Sequence, residues 1–339
     1  MSLLVMNEDE LRQTVTMPET IEAIKTAFMA LAEDRISMPG AFTLDLPQAE
    51  AQVQAKGTYL SEAPYYTIKV KSNFRNNPAL NLPADHSLIA VFDAQTGFPV
   101  AIMVDNGYLT AIRAAAAGAL TALYLANEQL GRVAVIGSGR QAYMQIKALR
   151  HVRNFSLVSV WGHTPVNVDS YARLIVEDYD LDVEIAPSVE AAVAEADLIV
   201  TTTASQQPLL RSAWLKPGVH IIAMGSDNPA KQELHPDVLQ RADIIIADSI
   251  EQSSRRGEIH HALTTGAITL DDIQGELGNL LLGKIAGRTD PQQITVADLT
   301  GLDVQESTVA TLALKRAQFL GLGQHAENPA AHIPTGPID

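Results

Sequence analysis

The sequence predicts an α/β protein in which a doubly wound parallel sheet is inserted into an α+β domain. Three observations support this prediction. Between Arg132 and Asp248, short apolar runs alternate with helical patterns, as in repeated βα units whose parallel sheet is covered on both faces. Before them, residues 42–104 contain β-branched and aromatic runs separated by turn signals, which is typical of an antiparallel sheet. After them, a helical pattern returns over residues 304–320.

The first half of the chain predicts helices followed by hairpins. The first forty residues indicate helical structure, and Met17–Ala32 has apolar residues at helical spacing with Pro18 in its first turn. Three strand-like runs follow, YYTIKVKSNF, SLIAVFD and PVAIMVD. The alanine-rich segment Thr110–Ala126 then strongly favours a helix.

The second half predicts the parallel sheet. The apolar run RVAVIGSG leads into a glycine turn and the helical pattern RQAYMQIKALRHV. Further strand-like runs are SLVSVWG, VEIAP, DLIVTTTA, HIIAMGS, ADIIIAD and ITVADLTG. Residues 323–339 are rich in Pro, Gly and polar residues, which predicts a disordered tail.

Composition narrows the class of protein. The chain has 339 residues, 47% of them hydrophobic, which is enough for two ordinary cores. It has no cysteine, which excludes disulfides and thiolate sites, and its net charge of −15 disfavours nucleic acid and anionic membranes as partners. No run of 18 apolar residues and no secretory pattern is present, so a cytoplasmic protein is expected.

The segment VAVIGSGRQA predicts a dinucleotide site in a Rossmann domain. Its glycines follow a strand and open a helix in the pattern G-x-G-x-x-A. Gly137 permits the tight turn, Gly139 lets the backbone approach a pyrophosphate, and Ala142 lets the helix pack against the sheet. The helix begins with Arg140 and Gln141, and its N-terminus faces the phosphates.

The residues after the second parallel strand bear on the choice between NAD and NADP. An acidic residue there would bind the ribose 2′-hydroxyl of NAD, but the sequence reads Trp161-Gly162-His163-Thr164. His163, Thr164 and Arg140 are suited to a 2′-phosphate. The sequence therefore favours NADP, with NAD binding without the carboxylate as the alternative.

Residues at other strand ends also predict contacts with the cofactor. Thr203 follows DLIVTT, and Ala223, Met224 and Gly225 end HIIAMG. Ligands of open α/β sheets bind outside the carboxyl ends of the strands, so we expect these four residues to line one crevice. Each of them taken alone is as consistent with an ordinary loop residue.

Three charged residues stand out on the substrate side. Lys69 lies inside the strand-like TIKV, Arg113 begins the alanine-rich helix, and Asp227 follows HIIAMGS. The ordinary interpretations are a solvent-facing strand lysine, a solvated helix face and a turn residue.

With these residues the chain resembles the ornithine cyclodeaminase/mu-crystallin family, from about Leu11 to Leu322. The motifs that carry the resemblance are Lys69 in YYTIKV, FDAQTGFPVAIMVDNGYLTAIRAAAAGAL, VAVIGSGRQA, GSDNPAKQEL, GEIHHAL and DLTGLDVQE. IKVKSNFRNNP and MVDNGYLT are most similar to the branch of cyclodeaminase and ectoine-utilisation proteins.

The resemblance implies roles for individual residues. Lys69 would bind the substrate carboxylate and assist proton transfer, and Arg113 would lie between that carboxylate and the nicotinamide. Asp227 would be the acid/base on the substrate amine, Lys231 a cofactor contact, and Thr300 a neighbour of the substrate.

The resemblance also implies a domain organisation and a homodimer. Residues 1–126 with 300–322 would form the substrate-binding and dimerisation domain, 127–299 the Rossmann domain, and 323–339 the tail. The implied activity is that of an NAD(P)-dependent cyclodeaminase or an oxidoreductase of a small amino or imino acid. The alternatives are a ketimine reductase, an alanine dehydrogenase-like enzyme, and a non-catalytic, NADP-dependent binding protein like mu-crystallin.

The chain departs from the family pattern at its expected substrate pocket. Many members carry an arginine in the segment that here reads MPGAFTLDLP, where Ala41 and Thr43 are the candidate positions. Leucine replaces a common threonine at Ser87-Leu88, and the helix that often reads Arg-Thr-Ala-Ala in the family reads Arg113-Ala114-Ala115-Ala116 here. His86 and Arg75 are possible substitutes for the arginine.

Two further features concern the chemistry. Ketimine reductases like mu-crystallin often lack an acid where this chain has Asp227, so Asp227 favours chemistry on a free amine. No metal is expected, because adjacent residues such as His260 and His261 do not face one site on a helix. Arg255-Arg256 is expected to be a solvated turn.

Overall fold

A parallel sheet of eight strands forms the centre of one of the two units into which the chain divides. The computed structural model describes residues 2–327, apart from the side chain of Pro78. Contacts divide the chain into unit 1, which is Met1–Thr16, Ile36–Leu109 and Glu306–Asp339, and unit 2, which is Met17–Arg35 and Thr110–Gln305.

Unit 2 has the strand order of a Rossmann domain. Its sheet runs β10-β9-β8-β11-β12-β15-β13-β14 with every neighbour parallel. The strands are β8 (Arg132–Ile136), β9 (Leu157–Trp161), β10 (Asp182–Ile185), β11 (Leu198–Thr201), β12 (His220–Ala223), β13 (Ile244–Ala247), β14 (Gly275–Glu276) and β15 (Thr295–Asp298). The order reverses between β8 and β11, which is where ligands bind in such sheets.

Helices cover this sheet because its strands are buried on both faces. β11, β12, β13 and β15 are buried at every residue. The helices are α2 (Met17–Leu31), α3 (Tyr108–Leu125), α4 (Arg140–Leu149), α5 (Pro165–Tyr179), α6 (Val189–Val193), α7 (Pro236–Arg241), α8 (Ile250–Ser253), α9 (Glu258–Thr264) and α10 (Leu277–Leu281), with 3₁₀ turns at Ser212–Trp214 and Leu270–Asp272. The first two residues of α3 belong to unit 1.

Unit 1 is built on a mixed sheet. Its strands are β1 (Ser2–Met6), β2 (Ile36–Ser37), β3 (Phe42–Leu46), β4 (Ala51–Leu60), β5 (Tyr65–Phe74), β6 (Asp85–Asp93), β7 (Pro99–Met103) and β16 (Gln324–Glu327). Their order is β16-β1-β7-β6-β5-β4-β2, and β3 also pairs with β4. The helices are α1 (Glu8–Thr14) and, from Glu306 onward, α11 (Asp303–Leu320), with 3₁₀ turns at Pro47–Ala49 and Asn77–Leu80.

The register of β4, β5 and β6 gives this sheet two different faces. Lys56 is opposite Lys69, and Lys71 follows two residues later on the same side. We call this side the lysine face. Ile68 on the other side is opposite Ala90, and the ring of Tyr66 stacks on that of Phe92 at 5.0 Å. We call this side the apolar face.

The structure differs from the prediction made from the sequence near both ends of the chain. The first forty residues include strand β1, which was expected to be helical, and β1 pairs parallel to β7 within the otherwise antiparallel core of the sheet. Residues 324–327 form β16, antiparallel to β1, where a disordered tail was predicted. Pairing with a distant strand is a tertiary effect that local composition does not encode. The rest of that tail, 328–339, lies outside the described residues.

The division into units also differs from the predicted domain boundaries. The predicted Rossmann domain was 127–299, whereas unit 2 also takes in α2, most of α3 and the chain up to Gln305. Within residues 2–327, α3 is the one helix long and apolar enough to cross a membrane, and 78% of it is buried inside the protein. A buried core helix meets the same criterion of length and apolar composition, so this finding is weak evidence for a membrane span.

Candidate active site

The turn between β8 and α4 has the conformation that its glycines predict. Gly137 has φ +121°, and its N–H donates a hydrogen bond of 2.8 Å to the carbonyl of Trp161. A Cβ atom at this position would lie 2.6 Å from Oγ1 of Thr202. Only glycine combines this backbone angle with this approach.

The N-terminus of α4 is suited to a pyrophosphate. Gly139 is the N-cap, and no side chain caps the helix. A Cβ built on Gly139 would meet no atom within 4 Å, so open space lies beside the first N–H groups of the helix. Arg140 is exposed at the same end, and Ala142 is fully buried against the sheet. Free N–H groups at a helix N-terminus bind phosphate through hydrogen bonds and the helix dipole.

The position that distinguishes NAD from NADP follows β9. The strand ends at Trp161, and Thr164 is the N-cap of α5 without a side-chain capping bond. His163 and Thr164 are exposed. The segment between strand and helix therefore presents an imidazole and a hydroxyl and contains no carboxylate.

A buried carboxylate joins the loops that follow β11 and β12. Glu233, which is fully buried, accepts hydrogen bonds from the N–H of Thr203 and, at 2.8 Å, from the N–H of Gly225. Burial raises the pKa of Glu233, and these N–H groups oppose the rise. A Cβ on Gly225 would collide with the Glu233 carboxylate and the Thr203 carbonyl. Glu233 therefore holds two predicted cofactor residues, Thr203 and Gly225, in a fixed relation.

Met224 contacts the helix of the glycine turn. Its Sδ accepts hydrogen bonds from Nε2 of Gln145 at 2.8 Å and from Nε2 of Gln141 at 3.3 Å. Ala223 beside it is the buried last residue of β12. The structure thus brings the predicted residues Gln141 and Met224 into contact.

Asp227 and Lys231 form an ion pair on the loop after β12. Oδ1 of Asp227 lies 2.7 Å from Nζ of Lys231, and the two side chains are 46% and 26% exposed. The loop is held by His261, whose Nε2 lies 2.8 Å from the carbonyl of Lys231. A fixed carboxylate with this exposure is open to a ligand and is able to exchange a proton with it.

Arg113 and Thr300 belong to a second network in unit 2. Nη1 of Arg113 donates to Oε1 of Gln305 at 3.0 Å, and a Cβ on Gly301 would lie 2.8 Å from the same nitrogen. The hydroxyl of Thr300 donates to Asp248 at 3.0 Å and accepts from Nε2 of Gln252 at 2.7 Å. The Thr300 hydroxyl is therefore held in place by one hydrogen bond that it donates and one that it accepts.

Lys69 lies in unit 1 and is buried, contrary to the ordinary expectation for a strand lysine. Its Nζ lies 2.8 Å from Oε1 of Glu306 on α11, and the two side chains are 11% and 5% exposed. Removing two charges from water is costly unless they are paired. The ion pair with Glu306 offsets part of the cost of burying Lys69.

Further buried carboxylates support the Glu233 loop. Glu258 accepts hydrogen bonds from the N–H groups of Glu233 at 2.8 Å and Leu234 at 3.0 Å. Burial and the neighbouring Asp298 raise the pKa of Glu258 well above its usual value, and burial raises the pKa of Asp298 to about 8. Among residues 2–327 no three His, Asp or Glu side chains group as metal ligands.

Five of the residues considered at the altered pocket positions lie in unit 1. Ala41, Thr43, Arg75 and Leu88 are exposed, and His86 is half-buried. His260 and His261 bond to different carbonyls, those of Ser254 and Lys231. Arg255 is exposed and pairs with Glu251 at 3.1 Å, as expected of a solvated turn.

Sequence reasoning missed the residues that hold the candidates in place. These are Glu233, Asp248, Gln252, Gln305 and Glu306. The sequence could have identified Asp248, because this carboxylate directly follows an apolar strand. Asp227, which the sequence did identify, likewise lies within four residues of the end of an apolar strand. Glu233, Gln305 and Glu306 lay inside the quoted motifs GSDNPAKQEL and DLTGLDVQE, but nothing local shows which groups they bond.

Comparison with known proteins decides the family. The model of the ornithine cyclodeaminase/mu-crystallin family matches residues 2–319. The chain belongs to this family. The predicted family and the α/β fold with a Rossmann-like parallel sheet are therefore confirmed.

Three similar proteins show the range of chemistry within the family. An uncharacterised cyclodeaminase of Sinorhizobium fredii is 35% identical over 329 residues, which cover 96% of this chain and 99% of the relative. The structure of an archaeal alanine dehydrogenase dimer with bound NAD has a TM-score of 0.90 at 31% identity, covering 96% and 99% of the two chains. The iminosuccinate reductase of Paracoccus denitrificans with NAD⁺ has a TM-score of 0.90 at 33% identity, covering 97% and 100%.

Proposed function

We propose that this protein catalyses NAD(P)-dependent hydride transfer at the α-carbon of a small amino or imino acid. Asp227 carries the proposal. Its partly exposed carboxylate lies four residues after the end of β12, at the edge of the sheet where this fold binds dinucleotides. A hydride acceptor beside a fixed carboxylate is what oxidation of an amine requires.

Lys69 and Arg113 are the candidate cations for the substrate carboxylate in this proposal. Lys69 provides an ammonium group on the lysine face of unit 1, and Arg113 provides a guanidinium in unit 2 that Gln305 orients. Charge-assisted hydrogen bonds to a carboxylate are roughly twice as strong as neutral ones. The planar fork of Arg113 also fixes the direction in which the α-carbon points.

Proton transfer is the task of Asp227. In the oxidative direction it takes a proton from the substrate ammonium, so that the nitrogen lone pair forms the C=N bond as the hydride leaves the α-carbon. In the reductive direction it returns that proton to nitrogen. Lys231 orients the carboxylate at 2.7 Å, and the bound nicotinamide supplies or accepts the hydride.

Cyclodeamination is the same chemistry on a diamino acid. The distal amine would attack the imine carbon, ammonia would leave, and return of the hydride to the cyclic imine would restore the oxidised cofactor. The Sinorhizobium relative supports this branch, and the alanine dehydrogenase and iminosuccinate reductase support simple redox. Asp227 serves both branches, because each begins at an amine or imine nitrogen.

Either nicotinamide dinucleotide fits the residues of the cofactor site. The two similar structures contain NAD or NAD⁺, which supports NAD. His163, Thr164 and Arg140 are exposed around the turn and carry no negative charge that would repel a 2′-phosphate, which supports NADP. Separate Michaelis constants for NADH and NADPH distinguish these cofactors.

The proposed partners are a small substrate and a second copy of the chain. The apolar face of unit 1 exposes Ile68 and Leu88 at 36% and 37%, beside an open cavity lined in part by Tyr59 and Tyr66. Exposed apolar side chains that are contiguous on a sheet favour burial against another protein surface. The net charge of −15 and the small-molecule chemistry agree with a cytoplasmic homodimer that binds neither nucleic acid nor membrane.

The test combines turnover with one substitution. Purified protein is mixed with NADH or NADPH and a panel of imino acids, formed from 2-oxo acids and ammonia, and loss of reduced cofactor is followed. Diamino acids are tested with NAD⁺ or NADP⁺ for release of ammonia. Asp227→Asn is expected to lower kcat by about 10²–10⁴-fold, as for loss of a general acid/base, while the dissociation constant of the cofactor stays within twofold.

Each outcome has a distinct meaning. Ammonia release without net change in the cofactor identifies cyclodeamination, and oxidation of NADH or NADPH identifies a reductase. Cofactor binding without turnover of any substrate would contradict the enzyme and favour a binding protein like mu-crystallin. Turnover that survives Asp227→Asn would show that another group moves the proton.

A further inference from the structure

One buried glutamine on α4 contacts two other elements of unit 2. Gln145 is fully buried, and its Nε2 donates hydrogen bonds to Sδ of Met224 at 2.8 Å and to the carbonyl of Ala114 on α3 at 3.3 Å. Both partners are acceptors only, so the amide has to present its nitrogen to them and its oxygen to another side. Gln145 therefore joins the helix of the glycine turn to α3 and to the residue that follows β12.

The oxygen of this amide accounts for a glycine inside α3. Oε1 of Gln145 is buried without a hydrogen-bond partner among residues 2–327, and a Cβ atom on Gly118 would lie 2.3 Å from it. One Cα–H bond of Gly118 thus points at Oε1, as in weak C–H···O contacts. Glycine is less favourable than alanine inside a helix, and the rest of α3 is rich in alanine. Gly118 is therefore the position at which α3 makes room for the amide.

The joined elements carry different parts of the candidate active site. α4 begins at the glycine turn, and Gln141 in its first turn also donates to Sδ of Met224, at 3.3 Å. Met224 directly precedes Gly225 on the loop after β12. Ala114 directly follows Arg113 on α3. Methionine side chains are usually flexible, so two amide donors on one sulfur fix Met224 more firmly than packing alone.

We infer that Gln145 is a positioning residue, whose single amide fixes Met224 on the cofactor side and the Arg113 turn of α3 on the substrate side. The inference rests on the proposed function, in which Arg113 binds the substrate carboxylate and the dinucleotide binds at the sheet edge where Met224 lies. The rate of hydride transfer depends steeply on the relative position of the reacting groups. Gln145 touches neither ligand in this role and acts through the residues that it holds.

Gly118→Ala tests this role by displacing the amide without altering it. The added Cβ atom has to move the flexible end of Gln145, which is the nearest group, while the helix gains a more favourable residue. The variant is expected to keep the melting temperature of the wild type, whereas its kcat for imine reduction is expected to fall about 10–10²-fold. A glutamine that only stabilises the fold would leave kcat unchanged.

Gln145→Leu and the double variant show whether both residues act through one contact. Leucine lacks the amide donor and is shorter, so it leaves space for the methyl group that Gly118→Ala adds. Gln145→Leu is expected to lower kcat by a similar factor, and Gly118→Ala is expected to have no further effect in its presence. Additive losses in the double variant would show that Gly118 acts through a different contact and would overturn the inference.

A second measurement follows Met224 in the protein without cofactor and does not depend on turnover. Dilute hydrogen peroxide oxidises a methionine thioether to the sulfoxide, with water as the other product. Hydrogen bonds from amides engage the sulfur lone pairs that attack the peroxide. Peptide mass spectrometry is therefore expected to show faster sulfoxide formation at Met224 in Gln145→Leu and in Gly118→Ala than in the wild type, with the other methionines as internal references.

Gln293→Leu is the matched control. Oε1 of Gln293 accepts hydrogen bonds from the N–H groups of Thr289 at 2.8 Å and Asp290 at 3.0 Å. Gln293 precedes β15, which is parallel to β12, so it lies at the opposite edge of the sheet from Met224. This control removes the same amide and is expected to leave kcat and the oxidation of Met224 unchanged. An equal fall of kcat in the control would overturn the role of Gln145.

The remaining outcomes separate this inference from the proposed function. Unchanged oxidation of Met224 in both variants overturns the role of Gln145 even if imines are reduced. Faster oxidation with unchanged kcat limits Gln145 to holding the methionine and overturns its positioning role as well. If the wild type binds NADH but reduces no imine, the proposed function fails, and the inference then stands or falls with the oxidation of Met224.

Discussion

Several buried side chains of this protein hold other residues in position through hydrogen bonds and ion pairs. Glu233 holds the N–H groups of Thr203 and Gly225, and its own N–H is held by Glu258. Glu306 forms an ion pair with the buried Lys69, and Gln305 orients the guanidinium of Arg113. The residues expected to touch ligands are thus positioned by buried polar groups whose bonds are directional.

Glu233→Gln is expected to disturb the cofactor loops more than the overall stability. The amide of Gln accepts from one of the two N–H groups, but it directs its own donor at the other, which costs about 1–3 kcal/mol. The KM for the reduced cofactor is expected to rise about tenfold, with a smaller fall in kcat. Steady-state kinetics with varied cofactor and varied substrate measures both constants.

Asp298→Asn is the control for that substitution. Asp298 is another buried carboxylate of unit 2, and its hydrogen bond comes from the N–H of Ile259 on α9 and not from Thr203 or Gly225. Its variant is expected to lower the melting temperature while leaving the KM for the cofactor unchanged. If both variants raise this KM equally, Glu233 has no specific role in positioning the loops.

At the scale of elements, buried polar contacts also fix the strands of unit 2. His220 on β12 is fully buried, with Nδ1 2.8 Å from Oγ1 of Thr295 on β15 and Nε2 3.2 Å from Oγ1 of Thr121 on α3. Burial, with the nearby charge of Arg288, lowers the pKa of His220 from 6.5 to about 3. The folded protein therefore keeps this imidazole neutral at pH values where the unfolded chain would protonate it.

His220 makes stability depend on acid. Because its pKa is depressed on folding, its contribution is complete above pH 6.5 and is lost as the pH falls toward 3. The loss is about 1.4 kcal/mol per pH unit, corresponding to one proton taken up on unfolding. Urea unfolding at several pH values between 3 and 6.5 is expected to give a slope that is smaller by this amount in His220→Gln than in the wild type. Equal slopes would contradict the neutral, buried histidine.

At the scale of the whole molecule, the apolar face of unit 1 is the expected contact between copies of the chain. Ile68 lies within it, opposite Gly57 on β4 and Ala90 on β6, so its side chain projects beyond small neighbours. An exposed β-branched residue at the centre of such a face is a natural anchor for a two-fold interface. The similar alanine dehydrogenase structure is a dimer.

Ile68→Lys is expected to prevent formation of the proposed dimer and give a monomer. A buried ammonium group without a fixed counter-charge costs several kcal/mol at an interface, and a two-fold axis would introduce it twice. Sedimentation velocity gives the mass of each variant. Leu174→Lys serves as the control, because Leu174 is an exposed apolar residue on α5 in unit 2. This variant is expected to sediment with the same mass as the wild type. A monomeric wild type would refute the interface.

The sequence was sufficient where function depends on local geometry. The turn at Gly137 follows from the steric needs of one backbone angle, and the βα alternation follows from hydrophobic period, so both were predicted and the structure has them. The family could be recognised for the same reason, since its motifs are contiguous in the chain. The substrate roles of Lys69, Arg113 and Asp227 stay predictions.

Residues distant in sequence came together only on folding. Lys69 and Glu306 are 237 positions apart, and β1 pairs with β16 from the other end of the chain. The opposition of Lys56 and Lys69 depends on the register of a hairpin, where a slip of one residue would move a lysine to the other face. No local pattern encodes such pairs, because their energy arises from burial and charge matching between elements.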